Sequence, residues 1–379
     1  MQLNKMIRKN AKTIIKYITQ NRFATFANCY FKLPQSYSFF IVGAHGVGLH
    51  SLLYYISLCK TKYSKNVYPM PIHILSRRFD LFGHFTSLRF YSKMYPIISQ
   101  EQIGQWGITF DNKIPGGERW VKTNLTKKAP AIIIVRDPIL TLTSVINHEV
   151  FTKLHSNLPI HIDQIYMYAL EHIEASFSLK KNMQYLNNKI SKYCFVDCSD
   201  LMGEKTYPTM QKIAEFLDLS ISFSESFLCS INSPIQRYFA NPIIYQDQEL
   251  YLSSFPHFFR IMSYPHYTCP NYCNDLGYTY QQPYKSNILP KETLFLFSKE
   301  KIVLTSELQT ILENYLNGYK SIIEEYEKLK TNSQTIIKLI QKHNHIEQIQ
   351  ALLRDQVSLI PQEILTKWKV YDEFSKIKG

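Results

Sequence analysis

The feature that most constrains this chain is an apolar run that ends at a glycine. Ser38-Phe39-Phe40-Ile41-Val42 has the length and character of a buried parallel strand. Gly43-Ala44-His45-Gly46-Val47-Gly48-Leu49-His50 follows, and then Ser51-Leu52-Leu53-Tyr54-Tyr55-Ile56, which predicts a helix. Strand, glycine loop and helix in that order open an α/β nucleotide-binding unit. Gly43 and Gly48 keep the spacing of the two glycines in G-x-x-x-x-G-K-[ST]. In such a turn backbone N–H groups converge on a phosphate at the positive end of a helix. Here Leu49 stands at the lysine position and His50 at the metal-binding Ser/Thr position, which argues against an ordinary ATPase or GTPase. The same glycines also suit a tight strand-to-helix turn that holds no ligand.

A second constraint comes from Ala131-Ile132-Ile133-Ile134-Val135, the clearest strand in the chain, bounded by Pro130 and by Arg136-Asp137-Pro138. Arg136 falls at the carboxyl end of that strand, where open parallel sheets line a ligand crevice. Pro138 is suited to the first turn of a helix, which places Ser144 about two turns along it. The glycine turn, Arg136 and Ser144 could then contact different phosphates of one cofactor. The alternative for Arg136-Asp137 is a self-paired loop.

Further elements are expected at Ile72–Leu75, Trp120–Thr123 and Tyr193–Asp197 as strands, and at Asp163–Lys181 as one long helix. Tyr207–Leu217 should be an amphipathic helix with Met210, Ile213, Ala214 and Leu217 on one face. Residues 231–290 are rich in Pro, Tyr, Asn and Ser and read as an irregular, aromatic-rich insertion or lid. A small hairpin, Thr293–Phe297 with Ile302–Leu304, should follow, then a helix over Ser306–Lys330 and a helical, peripheral remainder. The expected units are an N-terminal helical segment (1–36), a nucleotide-binding core (37–230), the insertion (231–290) and the hairpin with the helical C-terminal part (291–379).

These motifs resemble those of the sulfotransferase superfamily. A strand ending in R-[DN]-P with a serine eight residues after the arginine is similar to that family's site for the 3′-phosphate of 3′-phosphoadenosine 5′-phosphosulfate (PAPS). Arg136-Asp137-Pro138 and Ser144 match it. The Gly43–Gly48 turn resembles the family's 5′-phosphosulfate loop. Trp120-Val121-Lys122-Thr123-Asn124-Leu125 looks like its K-T-H-L segment. Phe195–Leu201 with Ile213–Leu217 is similar to its late strand and F-L helix.

The resemblance covers residues 37–219 and implies a P-loop-type three-layer α/β core with a central, mostly parallel sheet. It also implies a divergent bacterial branch of the family. The implied cofactor is PAPS, or PAP after transfer. The implied reaction is transfer of a sulfuryl group to a hydroxyl or amine, on a glycan, a glycolipid or a small metabolite. Cofactor contacts would come from Gly43, Ala44, His45, Gly46, Val47, Gly48, Leu49 and His50, from Arg136 and Ser144, and from Arg237 in place of the motif that closes over the adenosine. Lys122 and His45 would stabilise charge, and His148, Glu149 and Glu118 are the candidates for a base. The family's base histidine is replaced by Asn124, which has no useful basicity. A binding or assembly protein that kept the fold and lost the chemistry is therefore a second reading, and an atypical kinase a third.

The rest of the sequence bounds the setting. A net charge of +13 favours anionic partners, yet the cations are scattered, which argues against a nucleic-acid tail. No stretch reaches the roughly 20 apolar residues of a spanning helix. Residues 1–20 are basic without a continuous apolar run, and Met6, Ile14, Ile15 and Ile18 suit an amphipathic helix that packs on the core or touches a membrane surface. Seven irregularly placed cysteines fit a reducing cytoplasm better than a disulfide framework. His257, His266, Cys269 and Cys273 match no common zinc spacing, and no metal is expected.

Overall fold

The computed structural model describes residues 32–44, 46–76, 95, 99, 104–111, 114–224, 235, 238–254 and 277–377. At its centre the strands β1 (Phe39–Val42), β3 (Asn66–Pro71), β4 (Gly104–Phe110), β5 (Ala129–Val135) and β6 (Ile190–Asp197) run parallel in the order β6-β5-β1-β4-β3. Two short strands, β2 (Lys60–Thr61) and β7 (Leu219–Ser220), extend the edge, with β2 antiparallel to both of its neighbours.

Alternation along the central strands sorts their side chains between two faces. Phe40 and Val42 of β1 join Ala131, Ile133 and Val135 of β5 on one face, while Phe39, Ile41, Ile132 and Ile134 point to the other. All four β1 side chains are inaccessible to solvent, each contributing about 1.5–3 kcal/mol of transfer free energy. Such two-sided burial explains why these strands read as unbroken apolar runs. Helices α1 (Leu49–Leu58) and α6 (Thr206–Phe216) cover the second face. Helices α2 (Gly117–Asn124) and α5 (Leu179–Leu186) cover the first. The result is the expected three-layer α/β core.

Helix α3 (Pro138–His155) leaves the carboxyl end of β5 and carries apolar side chains on two sides. Ile139, Leu142, Ile146 and Val150 pack against α4 (Ile162–Glu171), α8 (Ser333–Lys342), α9 (Ile346–Val357) and α10 (Lys369–Ser375). Phe151 packs on a second, antiparallel sheet of β8 (Ile243–Tyr245), β9 (Gln248–Ser253), β10 (Tyr280–Tyr284) and β11 (Leu294–Ser298), ordered β10-β11-β9-β8. Helix α7 (Ser306–Leu329) lays Leu308, Leu312 and Leu316 on that sheet. Four-residue spacing keeps these leucines on one face.

Several expectations from sequence are corrected. Ile72–Ser76 is a short helix, and the strand lies just before it in Asn66–Pro71. Pro69 and Pro71 disguise that strand, which tolerates them because β2 pairs with it only at Asn66. Trp120–Thr123 is not a strand: it lies in α2, where Trp120, Val121 and Asn124 turn inward with helical spacing. The stretch 163–181 is divided among Ile162–Glu171, Ile173–Ser176 and the start of α5. The strand at Tyr193–Asp197 is present as part of β6, at the edge of the described sheet with Tyr193 exposed, where a buried strand is expected from its apolar residues. Among the described residues of 231–290 there are three strands, and β11 pairs with β9 and β10 rather than with residues 302–304. The C-terminal helices are not peripheral, since Ile360, Ile364 and Trp368 enter the main core. The helix expected near the N-terminus and the four residues weighed for zinc fall outside the described residues. No helix among the described residues is long and apolar enough to cross a membrane.

Candidate functional site

The glycine turn joins the carboxyl end of β1, the middle strand of the parallel set, to the N-terminus of α1. Gly43 N–H donates to Phe110 O at 3.0 Å, so the turn starts in register with the end of β4. Gly46 and Gly48 have φ of 86° and 82°, a region that side chains with a Cβ rarely occupy. Gly48 is also the N-cap of α1, so no capping side chain competes for the first-turn N–H groups. A helix start of this kind favours an anion. Leu49 is buried and lies on Gly43, which explains how an apolar residue fills the lysine position: its side chain belongs to the core.

Arg136 follows the last residue of β5 and is half-buried. Its Nη1 donates to Gly46 O at 2.9 Å, which ties the two sequence motifs together. A Cβ placed on Gly46 would lie 3.1 Å from Thr141 O and 3.2 Å from Val145 Cγ2, so the turn rests on the first two turns of α3. Ser144 precedes Val145 there and is half-buried. The glycine turn, Arg136 and the start of α3 are thus brought together at the carboxyl ends of the strands, with Ser144 next to Val145 along the helix.

Arg136 and Asp137 do not form a self-contained pair. Asp137 is buried, and its Oδ1 accepts from Ile139 N at 2.9 Å and Leu140 N at 3.4 Å, capping α3. Its Oδ2 accepts from Tyr371 N at 2.9 Å, far along the chain. Burial raises the Asp137 pKa from the usual carboxylate value, against the lowering influence of these amides and of Arg136.

A pocket with about 410 Å³ of empty space, its open side included, lies beside Arg136. Ala44 and Val47 of the turn, Thr141 of α3, Phe177, Ile360 and Trp368 contribute to its lining. The lining is mostly apolar, with the Arg136 cation at hand.

Lys122, Glu118 and Asn124 are not brought to this place. Lys122 is on α2, with its side chain 71% exposed and its Nζ 2.7 Å from Glu118 Oε1. The carbonyl of Asn124 accepts from Gln35 Nε2 at 3.0 Å, and that of Lys127 from Tyr37 OH at 2.9 Å. Gln35 and Tyr37 precede β1, so this end of α2 lies at the amino ends of the strands, opposite the glycine turn. Asn124 is buried, and its Nδ2 donates to Trp120 O at 3.1 Å. His148 and Glu149 are half-buried one turn beyond Ser144 and Val145 on α3, roughly 6 Å further from the strand ends. His50 is half-buried in the first turn of α1. His45 and Arg237 lie outside the described residues.

Sequence reasoning missed the C-terminal wall of the pocket. Trp368 Nε1 donates to Asp197 Oδ2 at 2.5 Å, and Lys367 Nζ pairs with Asp200 Oδ2 at 2.7 Å. Asp197 had a readable signal, because an aspartate closing a strand two residues before a serine is a capping arrangement. Its Oδ1 accepts from Ser199 N at 2.8 Å. Nothing in the sequence connected Trp368 with it.

No protein-family model matches the chain, and no curated protein matches it. Among solved structures the chain is similar to mouse sulfotransferase SULT7A1 complexed with PAP, at 14% sequence identity and a TM-score of 0.33. The match covers 54% of this chain and 65% of that one, less than two thirds of the mouse protein.

Proposed function

We propose that this chain binds a 3′-phosphonucleotide of the PAPS type and belongs, by reaction class, with the sulfotransferases. The observation that carries the proposal is the hydrogen bond from Arg136 to Gly46 O, with Ser144 beside Val145 on the same turn of α3. An arginine at a strand end, a glycine-capped helix start and a helix serine form a donor set for an anion carrying two separate phosphates. The guanidinium keeps further N–H donors beyond the one engaged at Gly46. Arg136 and Ser144 would hold the 3′-phosphate, and the turn with the start of α1 would hold the 5′-phosphosulfate. The cofactor supplies the activated sulfuryl group. The protein's part is to position it and to neutralise charge, as in phosphoryl transfer.

Lys122 and Asn124 carry no part of this site, since their helix ends at the amino ends of the strands, away from the glycine turn. That placement supports a second reading, in which the chain binds the nucleotide without transferring sulfuryl groups. His45, between Ala44 and Gly46 in sequence, is the loop residue proposed to add positive charge. A thermal-shift screen of the purified chain separates the readings. Stabilisation by PAP and not by ATP supports the proposal, stabilisation by ATP favours a kinase, and no shift with either removes the nucleotide from the account. Release of PAP from PAPS on adding candidate hydroxyl or amine acceptors distinguishes a transferase from a binding protein.

A further inference from the structure

The carboxyl ends of β5 and β6 carry two buried carboxylates side by side. Val135 pairs with Asp197 across the two strands, and Asp137 follows two residues later. Each carboxylate divides its oxygens between its own neighbourhood and one distant segment. Asp197 caps the turn at Ser199 with Oδ1 and receives Trp368 Nε1 on Oδ2. Asp137 caps α3 with Oδ1 and receives Tyr371 N on Oδ2. The same segment is tied at two further points, Lys367 to Asp200 at 2.7 Å and Asp355 to Lys180 at 2.9 Å. Gln356 Oε1 also accepts from Lys180 N at 3.1 Å.

Between these ties the segment faces the pocket beside Arg136. Gln356, Val357, Ile360 and Trp368 form one side of it, while Ala44 and Val47 of the glycine turn form another. The indole N–H of Trp368 is fixed by Asp197, so its ring is held as a wall rather than left to rotate. Asp137, the residue next to Arg136, is at once the cap of α3 and a tether of this wall. Any ligand that fills the pocket therefore touches the core on one side and the C-terminal segment on the other.

We infer that residues 356–371 are a working part of the ligand site, a strap across the strand ends, with Trp368 as the positioning residue that sets its distance from the glycine turn. The inference rests on the reading of that turn and Arg136 as a ligand site. It adds that occupancy of the pocket and docking of the strap are linked: a ligand bridging the two surfaces holds the strap down, and a loosened strap binds the ligand less well.

The test uses the full chain, Trp368→Phe, and two readouts. Hydrogen exchange of residues 356–371 is followed with and without PAP, whose binding is measured separately by calorimetry. The strap amides should slow about tenfold or more on PAP binding, with those of β8–β11 unchanged, and Trp368→Phe should lose most of that slowing. Bound PAP with unchanged strap exchange would overturn the inference and leave the nucleotide reading standing. If PAP does not bind, the nucleotide reading fails, and a ligand-free readout decides the strap. In an Ala44→Cys background, labelling of Cys at position 44 by N-ethylmaleimide, located by mass spectrometry, should run about fivefold faster when Trp368→Phe is added. Equal rates would show that Trp368 does not govern access to the pocket. Should Trp368→Phe not fold, Lys367→Ala, which removes a half-exposed tie, replaces it in both readouts, with an expected change of about twofold and the same contrary outcome.

Discussion

Arg136 Nη1 donates to Gly46 O across 2.9 Å, joining two motifs ninety residues apart in the chain. One motif is a turn that leaves its helix start open to an anion, and the other is a cation at a neighbouring strand end. The hydrogen bond sets where that cation stands relative to the turn. The first test of the arrangement is whether the turn needs its glycines.

Gly48→Ala should destabilise the fold by about 1–3 kcal/mol, because φ of 82° is strained for alanine and its Cβ would lie 2.5 Å from Cys198 Sγ. Cys198→Ala added to it should recover part of that loss by removing the close contact. Denaturant melts of the two variants measure both effects. A Gly48→Ala chain as stable as the parent would mean that the turn adopts another conformation.

Lys122 and Asn124 should behave as structural residues. Lys122→Ala breaks an exposed pair with Glu118 and should change stability by less than about 0.5 kcal/mol, with PAP affinity untouched. Asn124→His enlarges a buried side chain that is hydrogen-bonded to Trp120 O, and should cost roughly 1–3 kcal/mol without creating transfer activity. A stable Asn124→His protein that gains sulfuryl transfer would place this segment at the reaction centre after all.

The joint between α3 and the antiparallel sheet should weaken in mild acid. His155 Nε2 lies 2.6 Å from Asn241 Nδ2, a contact in which a neutral imidazole accepts the amide N–H. Burial lowers the His155 pKa from 6.5. The unfolded chain therefore binds this proton first, so the contribution is complete above pH 6.5 and declines as pH falls below it toward the folded value. Melting temperatures across that window should drop more in the parent than in His155→Gln, which does not titrate. Parallel curves would rule out the joint as the titrating element.

How legible the fold was followed from burial. β1 and β5 are covered on both faces, so their apolar runs were unambiguous, and α6 showed its stripe at Met210, Ile213 and Ala214. β3 was hidden by its own prolines, and α2 because Trp120-Val121-Lys122-Thr123 is too short to separate the helical from the strand period. At the site, Arg136 and the glycines could be paired from strand ends and spacing. The ties from Trp368 and Tyr371 to Asp197 and Asp137 could not, because contacts that bridge 171 and 234 residues leave no local pattern.

The central claim is that Arg136 recognises a 3′-phosphate at the glycine turn, and one calorimetric comparison tests it most directly. PAP and adenosine 5′-phosphate, which lacks that group, are titrated into the parent chain and into Arg136→Ala. The account predicts that the parent prefers PAP and that Arg136→Ala weakens PAP by about 1.5–3 kcal/mol, roughly ten- to a hundredfold, while binding of adenosine 5′-phosphate changes little. Equal losses for the two nucleotides, or a parent chain that binds neither, would contradict it.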